Sequence, residues 1–160
     1  MCFGGITMLS LDSLAKVILS IRDDVSNKKL QKLAYYVYAW YLTIFGVSIA
    51  EMRFEAWEHG PVCRKLYSGY KRYGWKNIPE YKGFVLASDE DIKFVESVLT
   101  VYGGYTADEL EEMTHNEAPW QEARQRGFRC STADAIITEQ SMITFYSTQS
   151  DIREQIETML

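Results

Sequence analysis

The most regular hydrophobic pattern in the chain lies between Lys28 and Phe45. Apolar residues recur there at the three- and four-residue spacing of an α-helix, and the opposite face is also apolar or aromatic. The residues on these faces are Leu30, Leu33, Ala34, Tyr36, Val37, Ala39, Trp40, Tyr41, Leu42 and Ile44. A helix that is apolar on all sides is buried on all sides. The pattern therefore predicts a central core helix that Ser26 or Asn27 caps and Gly46 ends.

Shorter hydrophobic periodicities flank this helix and predict further helices packed around it. In chain order, these run from Ser10 or Asp12 to about Asp23, from Pro61 to about Tyr73, from Ser88 to Tyr102, from Thr106 through Met113 or beyond, over a short turn at Trp120–Arg126 after an interruption at Pro119, from Ser131 or Thr132 across Ile136, Ile137, Ile143 and Phe145, and over Asp151–Leu160. Most begin at a capping residue. The predicted fold class is therefore mainly α, with about six or seven helices around the buried central helix.

A small β element is expected beside these helices. Phe54–Trp57 predicts one short strand or a small hairpin, which Gly60-Pro61 breaks. Pro61 suits the first position of the following helix, because a missing N–H costs nothing there. Tyr81–Leu86 predicts a second short strand. The β content is thus limited to a small β-hairpin element.

Length and composition favour a single domain. The chain has 160 residues, of which 47% are hydrophobic and 14% aromatic. This is enough for one full core. We therefore expect one compact domain over residues 1–160, with peripheral segments at residues 1–9 and 150–160.

Leu33–Ala50 carries no charge over 18 residues, which reaches the lower limit for a transmembrane helix. Four of these residues are Tyr, which prefers the membrane interface, and Gly46 ends the pattern early, so a core helix is the better interpretation. The N-terminus lacks the basic region of a secretory signal. Cys2, Cys63 and Cys130 are far apart and odd in number, as is typical of free thiols. The sequence therefore predicts a cytoplasmic location.

Two groups of residues resemble catalytic or metal-binding patterns, but each lacks a necessary partner. Glu112 and His115 have the Glu-x-x-His spacing of helical metal sites, which need a second such motif. Glu55, Glu58 and His59 lie together before a turn and suit acid–base chemistry, but no nucleophile stands out. We therefore expect no catalytic residues, no cofactor and no metal. An enzyme built on Glu58, His59 and His115 is the alternative.

The segment Arg64–Lys76 interleaves basic and aromatic residues. This pattern occurs in single-stranded nucleic acid sites and in protein interfaces, and it also fits a plain amphipathic helix with its aromatic residues inward. The net charge of −5 disfavours nucleic acid binding through phosphates, so a protein partner is the favoured functional interpretation. The predicted partner-binding residues are Arg64, Tyr67, Tyr70, Lys71, Tyr73 and Trp75, with Ile152 and Ile156 in the C-terminal segment.

Several short motifs follow one another in a specific order. They are Lys29–Tyr36 (KLQKLAYY), Phe54–Val62 (FEAWEHGPV), Leu66-Tyr67, Tyr73-Gly74, Val98, Tyr102-Gly103, Leu110, Thr114-His115, Pro119-Trp120 and Ala123-Arg124. In this succession the chain resembles the Panacea family of SocA-like antitoxins, formerly a domain of unknown function that is also found in phage-associated proteins. The resemblance extends from about Leu11 to Tyr146.

The resemblance implies a mainly helical antitoxin of a two-gene toxin–antitoxin system, from a bacterium or a phage. Members of the family neutralise unrelated toxins, including alarmone-synthetase-like enzymes that modify tRNA, mainly by direct protein contact. One member instead acts as an adaptor that delivers its toxin to the ClpXP protease. The expected partner is therefore a cognate toxin, bound directly, with delivery to a ClpXP-type protease as the alternative. Membrane and direct nucleic acid binding are not expected.

Overall fold

The computed structural model describes residues 7–129 and 135–160 and shows one mainly helical domain. These residues form eight α-helices, one 3₁₀ turn and a two-stranded antiparallel sheet. The elements are α1 (Leu11–Ile21), α2 (Asn27–Phe45), β1 (Glu55–Trp57), β2 (Gly60–Val62), α3 (Arg64–Tyr70), the 3₁₀ turn (Lys71–Tyr73), α4 (Asp89–Tyr102), α5 (Ala107–His115), α6 (Ala118–Arg129), α7 (Glu139–Tyr146) and α8 (Ser150–Thr158). The predicted fold class is confirmed, since these residues form seven helices besides the central helix α2.

The helix α2 is the centre of the domain. Every residue from Lys29 to Leu42 is buried, and α1, α4, α5 and α7 pack against it. The Ser26 hydroxyl accepts a hydrogen bond from the Lys29 N–H, and Gly46 ends the helix with a φ of 72°. The predicted buried central helix, its cap and its terminator are confirmed. In the part of the chain that the structure describes, no helix is both long and apolar enough to cross a bilayer.

Three other helices begin at the residues that the capping signals indicate. The side chains of Ser10 and Ser88 each accept a hydrogen bond from the backbone three residues later. Thr106 and Glu109 form a complete capping box at the start of α5. These local signals agree with the tertiary structure because each lies next to a helix with a well-defined buried face.

The second strand of the hairpin lies where the sequence pattern predicts the end of a strand at Gly60-Pro61 and the start of a helix at Pro61. β1 pairs with β2 across the two-residue turn Glu58–His59. Gly60 closes the turn with a φ of 101°, which a residue with a side chain rarely adopts. Pro61 is therefore a strand residue, and α3 begins only at Arg64. The prediction of a helix start at Pro61 is wrong, because strand pairing extends through the Gly-Pro pair.

The second neighbour of β1 is a distant segment of the chain. Glu55 forms an antiparallel bridge with Ile136, and the Ile137 N–H donates to the Phe54 carbonyl at 2.9 Å. Ile136 and Ile137 thus lie in extended chain, and their assignment to a helix is wrong. Tyr81–Leu86 forms no strand. Pairing between residues this far apart in sequence leaves no local signal.

The remaining differences concern helix starts near the C-terminal third. Pro119 lies in the first turn of α6, where its missing N–H is tolerated, so it is part of a helix of 12 residues that begins at Ala118. The predicted short turn Trp120–Arg126 is part of this helix. Thr138 caps α7, while the predicted caps Ser131 and Thr132 lie outside the described residues.

Polar side chains from the first half of α2 connect it to the hairpin. Gln31 Oε1 accepts a hydrogen bond from the Cys63 N–H at 3.1 Å. Lys32 Nζ donates to the Pro61 carbonyl, also at 3.1 Å. Because Lys32 is almost fully buried, desolvation lowers its pKa to about 7. These bonds fix β2, and with it the start of α3, relative to the core.

Gly60→Ala is expected to lower the free energy of unfolding by about 2 kcal/mol or more. The added Cβ would lie 2.4 Å from Lys32 Cε, and alanine would have to keep the φ of 101°. Urea denaturation followed by circular dichroism measures this change.

Gly69→Ala is the matched control. A Cβ at Gly69 meets no atom within 4 Å, and the residue is helical. Its stability should stay the same or rise by up to about 1 kcal/mol. Equal stability of both variants would contradict the close packing of Gly60 on Lys32.

Candidate partner-binding surface

The predicted partner-binding residues lie on α3, on the 3₁₀ turn and on Trp75 after it. The inner side of this segment is anchored to the core, since Leu66 is buried and Asn27 Nδ2 donates to the Tyr67 carbonyl at 3.1 Å. Its outer side is exposed or half-buried. Residues 64–76 thus form a surface that is held in a defined position, here named the α3 face.

Arg64 is exposed, but its charge is already paired within the chain. Its guanidinium donates two hydrogen bonds to the Glu55 carboxylate, at 3.1 and 2.8 Å, and lies over the Trp57 ring at 5.3 Å. The bond from Arg64 lowers the pKa of Glu55. The Trp57 ring lies 5.3 Å from the ring of Tyr67. Arg64 and Tyr67 therefore brace α3 against the hairpin, and a partner would compete for the Arg64 charge.

Tyr70 and Tyr73 are half-buried and stack on each other, with ring centroids 6.3 Å apart. Burial raises the pKa of Tyr70, which also interacts electrostatically with Asp12 of α1. Arg72 lies over the Tyr73 ring at 4.5 Å and donates to its hydroxyl at 3.0 Å. Both rings pack within the chain, so a partner can reach only part of their surface.

Lys71 and Trp75 are the two predicted residues that project freely. Trp75 is 85% exposed, and Lys71 is exposed on the 3₁₀ turn. Lys65 and Lys76 lie on the same face and are exposed as well. These three lysines form no ion pair with any residue that the structure describes. The free charge and the free aromatic area of the α3 face are therefore concentrated around Lys71 and Trp75.

The two predicted residues of the C-terminal segment do not lie on this surface. Ile156 is fully buried where α8 packs against α4, and Ile152 is half-buried. Ile156 is thus a core side chain that attaches α8 to the domain. The four-residue spacing of Ile152 and Ile156 correctly indicates the apolar face of α8, and α4 packs against that face.

The structure brings together the two histidines of the chain on either side of Glu111. His59 Nδ1 lies 3.0 Å from Glu111 Oε1, and His115 Nε2 lies 4.0 Å from the same oxygen. Lys28 Nζ forms an ion pair with Glu111 Oε2. Burial acts to raise the pKa of Glu111, but the bonds from Lys28 and His59 outweigh it and lower the pKa. The result is a charged cluster that ties the hairpin turn to α5 and α2.

This cluster differs from the one that the sequence pattern indicates. Glu58 and Glu112 are both exposed, and Glu111 takes the central place. The His115 ring stacks on the Trp120 ring at 4.1 Å, and among the residues that the structure describes its Nε2 has no hydrogen-bond partner. Within residues 7–129 and 135–160, no group of three or more His, Cys, Asp or Glu side chains is arranged to hold a metal ion. Glu111 meets His59 only because the hairpin folds over α5, so the sequence pattern does not indicate that Glu111 belongs to this cluster.

Glu117 is a second carboxylate that the sequence pattern does not single out. Its Oε1 accepts hydrogen bonds from the hydroxyls of Tyr36 at 2.7 Å and Tyr146 at 3.1 Å. Tyr146 also lies 3.3 Å from the Tyr35 hydroxyl. Burial raises the pKa of Glu117 to about 7, although the two tyrosine bonds act to lower it. Glu117 therefore connects α2 and α7 to the α5–α6 turn.

Charge is unevenly distributed over the domain. The α3 face contains five basic residues and no acidic residue. The stretch Asp89–His115, which contains α4 and α5, has eight acidic residues and one lysine. The net charge of −5 therefore does not describe the α3 face, which is locally basic.

Comparisons with known proteins match the centre of the chain. Residues 30–121 match the family described as antitoxin SocA-like, Panacea domain. Among curated proteins, Antitoxin SocA of Caulobacter vibrioides (strain NA1000 / CB15N) is 31% identical over 109 residues, which is 60% of this chain. The match covers 58% of the length of that relative. No solved structure matches the chain.

Glu117→Gln is expected to change how stability depends on pH. Because the native pKa of about 7 lies above the ordinary 4.5, the stabilising contribution of protonated Glu117 is complete below pH 4.5 and is lost as the pH rises through 7. Glutamine stays neutral and can still accept from a tyrosine hydroxyl. Between pH 4.5 and 8, the unfolding free energy of the variant relative to wild type should therefore rise by about 3 kcal/mol, measured by urea denaturation.

Glu122→Gln, on the exposed side of α6, is the control for the loss of one negative charge. A difference between Glu117→Gln and wild type that stays constant across this pH range would show that Glu117 does not titrate as its burial implies.

Proposed function

Since the chain belongs to the family of SocA-like antitoxins with a Panacea domain, we propose that it is the antitoxin of a toxin–antitoxin pair and neutralises a cognate toxin by binding it directly. The match of residues 30–121 to the family is the observation that carries this proposal. The 31% identity to Antitoxin SocA supports it. The family suggests a role that is not enzymatic, and a toxin–antitoxin pair acts in the cytoplasm.

The internal role of the matched motifs supports a binding function. In the KLQKLAYY stretch, Gln31 and Lys32 bond to the hairpin, Tyr35 is in the core, and Tyr36 bonds to Glu117. In the FEAWEHGPV stretch, Gly60 packs on Lys32. These side chains are used to build the domain. A fold does not fix function, so the recognition of a particular toxin is left to exposed residues.

The α3 face is the surface that best suits a protein partner. Tyr, Trp and Arg are the residue types that dominate binding energy in protein interfaces. Arg64, Tyr67, Tyr70 and Tyr73 are braced by the fold, which limits the entropy that they lose on binding. Lys71 and Trp75 extend from this braced surface into solvent.

Local charge decides which partner surface fits the α3 face. Interactions between exposed charges further apart than about 8 Å are largely screened at physiological salt. A toxin that binds tRNA, such as an alarmone-synthetase-like enzyme, would be basic overall and would be attracted to the acidic α4–α5 side. At the α3 face itself, the contacting toxin surface is expected to carry carboxylates around an apolar centre.

Growth rescue tests the proposal. The adjacent open reading frame is expressed alone and then together with this chain. Arrest by the neighbour and rescue by this chain, with co-purification of the two, are expected. Rescue without co-purification, together with loss of the toxin only when a ClpXP-type protease is present, would replace direct inhibition by delivery to proteolysis. Absence of rescue would contradict the antitoxin role for this gene pair.

Lys71→Glu is expected to weaken binding of the toxin by about three- to tenfold and to reduce rescue. The substitution reverses a free charge on the α3 face without touching a packed side chain. Affinity is measured by titration of the purified proteins.

Lys93→Glu is the matched control, since Lys93 is exposed on α4 and the change in net charge is the same. If both variants weaken binding equally, the effect comes from net charge and the α3 face is not the contact.

A further inference from the structure

A groove opens between residues 7–9 and the start of α4, beside the C-terminal part of α2. Its volume is about 610 Å³, which is within the range of small binding clefts, so it can hold a few side chains of a partner. The groove is lined by Thr7, Met8, Leu9, Tyr41, Leu86, Ala87, Ser88, Glu90 and Asp91. These residues are here named the α4 groove.

The apolar part of the α4 groove is one continuous surface around Tyr41. Met8 is 51% and Leu86 76% exposed, and both line the same cavity as the Tyr41 ring. The Tyr41 ring lies 4.7 Å from the ring of Phe45, which is itself 50% exposed, and 5.0 Å from the ring of the buried Phe94. Exposed apolar side chains that share one cavity are typical of an interaction site.

Both sides of the groove are held in place by hydrogen bonds. On one side the Leu9 N–H donates to the Ile49 carbonyl at 2.8 Å, and Leu9 forms a parallel bridge with Ala50. On the other side the Ser88 hydroxyl accepts from the Asp91 N–H at 3.1 Å at the start of α4. A groove that is formed before binding loses little conformational entropy when a partner fills it.

The charge of the α4 groove is negative. Glu90 and Asp91 line it, and no basic residue among residues 7–129 and 135–160 does so. Neither carboxylate forms an ion pair with any residue that the structure describes. Burial raises the pKa of Tyr41, and the nearby Asp91 carboxylate raises it further. Unpaired carboxylates at the edge of an apolar cavity attract a cation that also carries apolar groups.

The positive groups near the groove do not cancel this charge. Lys82 and Lys93 are the nearest basic residues in sequence to Leu86 and Asp91, and neither lines the groove. The N-terminus of α4 contributes about half a positive charge. The first turn of α4 carries three carboxylates, since Asp89 precedes the two that line the groove. The groove therefore keeps a negative potential.

We propose that the α4 groove binds a segment of the cognate toxin in which lysine or arginine accompanies apolar side chains. The inference rests on the proposed function and adds a second contact, separate from the α3 face. The apolar side chains of the segment pack on Met8, Tyr41 and Leu86, and its cation pairs with Glu90 and Asp91.

The α4 groove and the α3 face lie at different parts of the central helix. The α3 face is anchored through Asn27, the first residue of α2, and the groove contains Tyr41. These two residues are about 21 Å apart along the helix axis, at about 1.5 Å per residue. Substitutions at sites this far apart have nearly independent effects on binding.

A toxin segment suits the groove better than two other occupants. The carboxylates repel phosphates, which disfavours nucleic acid. A second copy of this chain offers its basic α3 face, but each copy has a net charge of −5, so two copies repel each other. A partner with a local basic segment experiences only the attraction.

Glu90→Lys tests the charge of the groove, and Glu96→Lys is its matched control. Both residues are exposed on α4, but Glu96 does not line the groove, and the change in net charge is the same. Titration with the purified product of the adjacent reading frame should show about a five- to tenfold loss of affinity for Glu90→Lys and less than twofold for Glu96→Lys. The loss should shrink at about 0.5 M salt, because salt screens exposed charges.

Glu90→Gln is the second charge variant. Lysine in the first turn of α4 interacts unfavourably with the helix dipole, whereas glutamine is neutral. Its thermal unfolding midpoint should stay close to that of wild type, and its loss of affinity should lie between those of wild type and Glu90→Lys.

Leu86→Ser tests the apolar side of the groove, with Phe84→Ser as its control. Phe84 is in the same loop and is 83% exposed, but it does not line the groove. We expect about a fivefold or greater loss of affinity for Leu86→Ser and less than twofold for Phe84→Ser. The thermal unfolding midpoints of both variants should match wild type, since both side chains are exposed.

Overlapping synthetic peptides that cover the toxin identify the segment. The peptide that competes with the toxin for wild type should contain lysine or arginine beside apolar residues. Replacing its basic residues by glutamate should abolish binding to wild type and restore part of the binding to Glu90→Lys, because the charges are then exchanged. A competing peptide without a basic residue would overturn the inference.

A combined variant separates the groove from the α3 face. Lys71→Glu/Glu90→Lys should lose affinity by the product of the two single losses. Undiminished binding by Glu90→Lys and Leu86→Ser, with growth rescue intact, would overturn the inference and leave the antitoxin proposal standing. Absence of binding and rescue by wild type would instead contradict the proposed function itself.

Two further outcomes would assign the groove to another occupant and overturn the inference. Self-association of the purified chain that both Glu90→Lys and Lys71→Glu abolish, measured by analytical ultracentrifugation, would assign the groove to the α3 face of a second copy. A lower unfolding midpoint for Leu86→Ser than for Phe84→Ser, which disappears in a chain that begins at Met8, would assign it to the first residues of the chain itself.

Discussion

The helix α2 is buried on every side from Lys29 to Leu42, and its contacts position the elements around it. A helix enclosed by five other helices and a hairpin must satisfy its polar side chains inside the domain. Trp40 Nε1 therefore donates to the Tyr102 hydroxyl at 2.9 Å, and the Tyr36 ring stacks on the Tyr102 ring at 3.9 Å. Lys29 Nζ donates to the Gly103 carbonyl at 2.8 Å. Each of these contacts fixes a neighbouring element, so α4 and the hairpin take their positions from the central helix.

This constraint also gives residues of the matched motifs structural roles inside the domain. Gln31, Lys32 and Gly60 join the central helix to the hairpin, and Glu117 joins it to the α5–α6 turn. The side-chain polar groups of Gln31, Lys32 and Glu117 form hydrogen bonds within the domain. The outer side of the α3 face consists of residues that the core leaves exposed or half-buried.

The candidate site could be predicted in part. The alternation of basic and aromatic residues in Arg64–Lys76 correctly indicated an amphipathic segment, in which Leu66 is buried and Trp75 is 85% exposed. Periodicity did not show that Arg64 is paired with Glu55, because that pairing depends on the hairpin. The exposure of Phe84 and Leu86 was also not predicted, because a short apolar run in a loop has the same pattern as a strand. Glu111 was missed because its partner His59 is 52 residues away in the chain.

The fold class, the central helix and most helix starts follow from local patterns along the chain. These depend on contacts between residues a few positions apart, such as the capping bonds of Ser26 and Thr106, and on the uninterrupted apolar character of α2. The position at which Ile136 pairs, the charges that remain free and the apolar side chains that stay in solvent depend on tertiary contacts. Those outcomes depend on segments that meet from distant parts of the chain, and neither spacing nor composition records which surfaces another element will cover.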